Sequence, residues 1–114
     1  MKFIETEEGK FINLSQVKYI ELQRYEATHR ETGEKLRGDA CIVHIETGIP
    51  VLLFLIEEDL WKDERITEYE KRLCLSLLID EIFEDKEISI GNVKIRNIFN
   101  NILHNLLAEL SNGD

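Results

Sequence analysis

The chain has 114 residues, of which 43% are hydrophobic and 32% charged, and its formal net charge is −9. This length and apolar content suit one folded domain and exclude a disordered chain. The negative charge repels phosphate groups and anionic lipids, so it argues against nucleic-acid binding and against membrane-surface binding. Two explanations of the acidity remain open. One is solubility, and the other is an acidic protein that mimics nucleic acid or binds a basic protein partner.

The cysteines and the apolar runs indicate in which cellular compartment the protein is expected. Cys41 and Cys74 lack C-x-x-C spacing, which argues against a zinc site, and both lie among apolar residues, which predicts buried free thiols. The first ten residues, MKFIETEEGK, contain no long apolar run, and the longest such run, VLLFLI, is too short to span a bilayer. We therefore expect a cytoplasmic protein. The single proline and the many Ile, Asn and Lys residues are compatible with a bacterial or phage source.

The first half of the chain has the alternating pattern of β-strands. Ile20 and Leu22 share one face of an extended run, and Cys41, Val43 and Ile45 share one face of another. The polar segment 29–38 contains two glycines and is predicted to form a hairpin tip or a mobile loop. Because the turns between runs are short, we expect an antiparallel meander of about five strands. The predicted strands occupy residues 2–6, 10–14, 17–28, 39–47 and 49–57.

The run at residues 49–56 differs from the others because both of its faces are apolar. A strand with one face in water would alternate between apolar and polar residues. This run is therefore predicted to be a central strand that is covered on both sides. Pro50, near its start, is acceptable where no ladder donor is needed.

The second half of the chain has helical spacing, with helices predicted at about 60–84 and 93–110. Thr67 and Glu70 have capping-box spacing, so a regular helix should begin there. The segment 73–83, LCLSLLIDEIF, is apolar almost all round and is predicted to be buried between two layers. The expected fold is a single α+β domain over residues 1–114, with the sheet at about 2–56 and two C-terminal helices.

The last predicted helix has two different faces. Its apolar residues fall within half of the circumference, whereas its charged residues, Lys94, Arg96 and Glu109, lie only near the ends. The opposite arc is neutral and polar. The apolar half holds Ile95, Ile98, Phe99, Ile102, Leu103, Leu106, Leu107 and Leu110, and the neutral arc holds Asn97, Asn100, Asn101, His104, Asn105 and Ala108.

Two explanations fit this neutral arc. Compositional bias is one, because asparagine costs only a few tenths of a kcal/mol on an exposed helix. An interface is the other, because neutral polar groups lose their water more cheaply than charged ones and interface cores are depleted in charge. The second explanation predicts a homodimer, with Asn97, Asn101, His104 and Asn105 near a twofold contact.

Candidates for catalysis and metal binding are few. The P-loop, dinucleotide-binding, HExxH and GxSxG motifs are all missing from the sequence. Glu57, Glu58 and Asp59 could hold a metal ion or a general base, although acidic residues commonly begin solvated helices. His44 and Glu46 could form an acid–base pair, although a strand histidine more often pairs across the sheet. No catalytic residue, metal site or cofactor is assigned.

Two classes of function remain. The first is a small acidic interaction or regulatory module without enzymatic activity, acting through protein–protein contacts as a homodimer. The alternative is a small-molecule-binding or catalytic domain. Its pocket would lie between the sheet and the helices, near Tyr19, Tyr25, His44 and Trp61, and a deep pocket with convergent polar groups would favour it.

Overall fold

The computed structural model describes residues 2–6, 9–46, 48–61, 65–85 and 89–112. Five strands precede the first helix, and a two-residue strand lies between the two C-terminal helices, so the predicted α+β class with two C-terminal helices is confirmed. The expectations for a turn at Thr47, for helix at residues 62–64 and for extended backbone at Ile88 lie outside the described residues.

The larger sheet contains three antiparallel strands in the order β3-β4-β5, which are β3 (Val17–Thr28), β4 (Lys35–Ile45) and β5 (Pro50–Glu57). The bounds of β3 are those predicted. The hairpin tip is shorter than predicted, because Gly38 lies inside β4. A Cβ atom at that position would overlap the backbone of Ile56, so a glycine allows the two strands to approach.

The smaller sheet joins distant parts of the chain. Its strands are β1 (Phe3–Glu5), β2 (Phe11–Asn13) and β6 (Ser89–Ile90), in the order β2-β1-β6. Strand β1 is antiparallel to β2 and parallel to β6. This arrangement differs from the single antiparallel meander predicted from the sequence. A 3₁₀ turn at Leu14–Gln16 ends β2 and separates the two sheets.

Strand β5 is an edge strand and not the central strand that was predicted, since it pairs only with β4 in the described part of the chain. Its residues from Leu53 to Ile56 are nevertheless all buried. The register passes from Cys41 opposite Phe54 to Ile42 opposite Leu52, so Leu53 is the extra residue of a β-bulge. Leu53 and Phe54 both join the core cluster, which explains why this strand is apolar on both faces.

The helices are α1 (Glu68–Glu84) and α2 (Asn92–Asn112), and a 3₁₀ turn (Glu58–Trp61) precedes them. The predicted capping box is confirmed. The Glu70 backbone N–H donates to Thr67 Oγ1 at 3.1 Å, and the Thr67 backbone N–H donates to Glu70 Oε1 at 2.9 Å. Such a cap stabilises a helix by about 1 kcal/mol and fixes where α1 begins.

The C-terminal end of α1 is bound by Lys2, which lies just before β1. The last turn of α1 contains no basic residue. Lys2 Nζ donates to the carbonyl oxygens of Ile82 (3.1 Å), Phe83 (3.0 Å) and Asp85. An ammonium group at this position satisfies carbonyls that have no partner within the helix, and it is attracted to the negative end of the helix dipole.

One core cluster contains side chains from both sheets and both helices. The apolar faces predicted for β3 and β4 are confirmed, because Cys41 and Val43 belong to this cluster while Ile20, Leu22 and Ile45 pack against it. The small sheet contributes Ile4, Ile12 and Ile90, and the helices contribute Cys74, Leu75, Leu78, Ile82, Ile95, Ile98, Phe99 and Leu103.

Ile4 lies at the centre of the small sheet, opposite Ile12 and Ile90, and is completely buried. We expect Ile4→Ala to lower the free energy of unfolding by about 2–5 kcal/mol, because it leaves a cavity between two sheets and two helices. Urea denaturation followed by circular dichroism measures this change. Val93, which is 76% exposed, provides the control, and Val93→Ala should change stability by less than about 0.5 kcal/mol. Equal effects of the two substitutions would contradict the central role of Ile4.

Candidate interaction surface

The orientation of α2 agrees with its sequence pattern. Ile95, Ile98, Phe99 and Leu103 are buried, and the neutral arc is exposed along its whole length. The exposed residues of this arc are Asn97, Asn100, Asn101, His104, Asn105 and Ala108.

The neutral arc carries no charged residue, and its polar side chains are not paired with other described side chains. Residues 97–108 form a run of twelve without Asp, Glu, Lys or Arg, in a chain in which 32% of the residues are charged. Within the described residues, the polar side chains of the arc form no hydrogen bond and no ion pair. Their hydrogen-bonding groups are therefore available to solvent or to another molecule.

Helix α1 has more exposed apolar surface than its sequence predicted. Cys74, Leu75, Leu78 and Ile82 are buried. A second row lies on the outer side, where Tyr69, Leu73 and Leu77 are 76%, 45% and 44% exposed. The expected burial between two layers is therefore wrong for this side of α1, because no described element covers it. We call Tyr69, Leu73 and Leu77 the apolar row of α1.

The four residues predicted to line a pocket do not surround one space. The Tyr19 and His44 rings are stacked, with centroids 4.1 Å apart and an interplanar angle of 11°. Trp61 donates through Nε1 to Asp39 Oδ2 at 3.1 Å. Asp39 and His44 are five residues apart in β4, so they lie on opposite faces of the sheet. Trp61 is therefore separated from Tyr19 and His44 by the sheet itself.

Tyr25 lies on the same face of β3 as Tyr19, six residues further along the strand, and pairs with Gly38. This position is close to the hairpin tip. Open depressions occur at that tip, between Ala27 and Leu36, and beside the first turn of α2 at Asn92 and Val93. These depressions do not bring the four predicted residues together.

The partner of His44 also differs from the prediction. The carboxylate beside it belongs to Glu21, whose Oε2 lies 3.5 Å from His44 Nε2. Glu46 is exposed and makes no ion pair with any residue that the structure describes. The stacking of Tyr19 on His44 has a similar origin, because these two residues are directly opposite each other in the β3–β4 register. This contact could be predicted only from knowledge of the register.

Trp61 belongs to the core instead of a cleft. Its ring packs edge-on against Phe99, with centroids 5.2 Å apart, and Lys71 Nζ lies 5.9 Å from the ring centroid. The residue is 2% exposed. Together with its hydrogen bond to Asp39, these contacts fix the 3₁₀ turn between the large sheet and the two helices.

Of the predicted carboxylate cluster Glu57, Glu58 and Asp59, only Glu58 forms an ion pair among the described residues. Glu58 pairs with Arg24, and this hydrogen bond and charge hold the pKa of the Glu58 carboxyl below its usual value. The same hydrogen bond raises the pKa of the Arg24 guanidinium, which also lies 3.7 Å from Asp39 Oδ2. No group of three His, Cys, Asp or Glu side chains placed to hold a metal ion occurs among the described residues.

Cys41 and Cys74 are free and buried, as the sequence predicted. Burial raises the pKa of the Cys41 thiol to about 12. Burial also raises the pKa of the Cys74 thiol, and the nearby Glu70 carboxylate adds to this effect. Because the thiolate is the nucleophile, neither side chain is suited to nucleophilic catalysis.

No protein-family model matches the chain, and searches of curated proteins and of solved structures find no significant match. Among the described residues, neither helix is long and apolar enough to cross a membrane. The candidate site is therefore defined by the chemistry of its surfaces, which are the neutral arc of α2 and the apolar row of α1.

The two thiols should react slowly in the folded protein. We expect labelling by a disulfide reagent at pH 8 to be at least about tenfold slower in the native protein than in urea, because both thiols are buried and protonated. Absorbance of the released thiol measures the rate. Rapid stoichiometric labelling without denaturant would show that one of the cysteines is accessible.

The raised pKa of Cys41 also predicts a pH dependence of stability. The unfolded thiol ionises near pH 9.0, whereas the folded thiol ionises near 12. The unfolded state therefore loses its proton first, so increasing the pH above 9 favours unfolding. We expect the difference in unfolding free energy between the parent and Cys41→Ala to be constant below pH 9 and to shift against the parent above it. A constant difference up to pH 11 would contradict this prediction.

Proposed function

We propose that the protein is a non-catalytic interaction module that works as a homodimer through the outer face of α2. The observation that supports this proposal is that none of the exposed residues of the neutral arc, between Asn97 and Ala108, is Asp, Glu, Lys or Arg. A helix that faces only water gains nothing from excluding charge, whereas a helix that becomes buried does, because neutral polar groups desolvate at lower cost.

The choice of asparagine suits a twofold contact in particular. In an isologous interface, a residue near the axis meets its own copy. An asparagine side chain has both donor and acceptor groups, so two copies of Asn101 can satisfy each other. Lysine has only donors and an ionised glutamate has only acceptors, so neither can pair with itself.

The other properties of the chain suit a module of this kind. Its net charge of −9 favours a basic protein as a further partner and repels nucleic acids. Two buried, unpaired cysteines are typical of proteins from a reducing compartment, which supports a cytoplasmic location. The separation of Trp61 from Tyr19 and His44 gives no support to the alternative of a ligand pocket between the sheet and the helices.

Asn101→Lys tests the proposed dimer. The substitution places two like charges at the contact and removes the amide pairing, so we expect dimerisation to weaken by an amount on the order of 1–3 kcal/mol. Sedimentation equilibrium of the parent and the variant at tens of micromolar measures the change.

Thr28→Lys is the matched control, because it adds the same charge at an exposed residue of β3. It should leave the dimer within about 0.5 kcal/mol of the parent. A monomeric parent would overturn the proposal, and so would an Asn101→Lys variant that dimerises as well as the control.

A further inference from the structure

The outer side of α1 changes character along its length. The apolar row occupies the first turns, with its three residues four positions apart. One turn further, the same side of the helix is acidic, with Asp80, Glu81 and Glu84 all exposed. None of these three carboxylates forms an ion pair with another described residue. The surface therefore joins an uncovered apolar strip to a patch of unneutralised negative charge.

The acidic patch does not stabilise its own helix. Negative side chains near the C-terminus of a helix lie against the negative end of the dipole, which costs a fraction of a kcal/mol for each charge. Lys2 is bonded to the backbone carbonyls of the last turn, and Lys94 Nζ lies 3.6 Å from Asp85 Oδ2. Neither lysine is paired with Asp80, Glu81 or Glu84. The negative charge of these three carboxylates therefore remains available to another molecule.

We propose that the outer side of α1 docks an amphipathic helix of a partner protein, and that this helix carries apolar residues followed by Lys or Arg. A row of side chains at four-residue spacing forms a ridge that fits the groove of another helix. Cationic residues beyond the apolar contact would then meet Asp80, Glu81 and Glu84. This inference rests on the proposed function, because it names the partner that the module would bind.

A second copy of the chain fits this surface less well. A twofold contact would bring two sets of three carboxylates into the same interface. Arg72 is the one exposed basic residue of α1, so the two copies would supply too few positive charges to neutralise them. A cationic helix neutralises the carboxylates and covers the apolar row at the same time.

The test uses a synthetic peptide of about 18 residues, or five helical turns, with leucines along one face of its first turns and lysines in its last turns. A peptide of the same composition in scrambled order, which has no apolar face, is the probe control. Fluorescence anisotropy with the full-length protein measures the dissociation constants at low and at physiological salt. We expect the amphipathic peptide to bind at least about tenfold more tightly than the scrambled one.

Leu77→Glu separates apolar docking from simple charge attraction. The substitution makes the protein more negative, so attraction alone would strengthen peptide binding, whereas loss of the apolar row should weaken it about tenfold. Ile49→Glu is the matched control, since it adds the same charge at a 68% exposed apolar residue in front of β5 and should not weaken binding. Asp80→Lys with Glu84→Lys should also weaken binding, mainly at low salt.

Thermal unfolding of each variant checks that it is folded. If Leu77→Glu does not fold, Leu73→Ser serves as a second substitution in the apolar row. Equal binding of the amphipathic and scrambled peptides would overturn the inference, as would equal binding by the Leu77 and Ile49 variants. A change from dimer to monomer on substituting Leu77 would also overturn it, by showing that a second copy covers α1. Failure of the Asn101 test with retained peptide binding would remove the dimer and leave this docking site intact.

Discussion

Strand β1 is hydrogen-bonded along both of its edges, and the positions of the other elements depend on it. On one edge it pairs with β2 and on the other with β6, so it joins the first residues of the chain to the segment between the helices. Lys2, next to this strand, binds the last carbonyls of α1. Helix α2 begins two residues after β6, so its starting point is fixed as well. The small sheet thus positions both helices against the large sheet.

The fold buries one side of each helix and leaves the other side to solvent. The two exposed sides differ in chemistry, since α2 presents neutral polar groups and α1 presents an apolar row followed by carboxylates. Because they lie on different helices, one surface can be altered while the other is kept, and substitutions on them should act independently unless the sites touch. The proposed self-association and the proposed partner binding can therefore be tested with substitutions of separate residues.

Features determined by local periodicity were predictable from the sequence. The bounds of β3 follow from alternation, the start of α1 follows from the pairing of Thr67 with Glu70, and the two sides of α2 follow from helical spacing. The exposed position of the predicted site residues Asn97, Asn101, His104 and Asn105 follows from the same spacing. In each of these cases, neighbours within four positions carry the information.

Features that depend on long-range pairing were not predictable in the same way. A two-residue strand such as β6 has no periodicity to detect, and neither its parallel direction nor its partner is encoded nearby. The edge position of β5 was hidden because the bulge at Leu53 mimics the pattern of a central strand. The exposure of Leu73 and Leu77 was missed because a helix that is apolar on all sides does not indicate which side remains uncovered.

The parallel pairing of β1 with β6 also sets the order in which the chain can complete its structure during synthesis on a ribosome. Ile4 is made before β2 to β5 and α1, whereas its partner Ile90 is made only after them. Until then, one edge of β1 has no strand beside it. Contacts so distant in sequence form slowly. Until Ile90 is made, the nascent chain therefore has an unpaired strand edge, which other extended segments can bind.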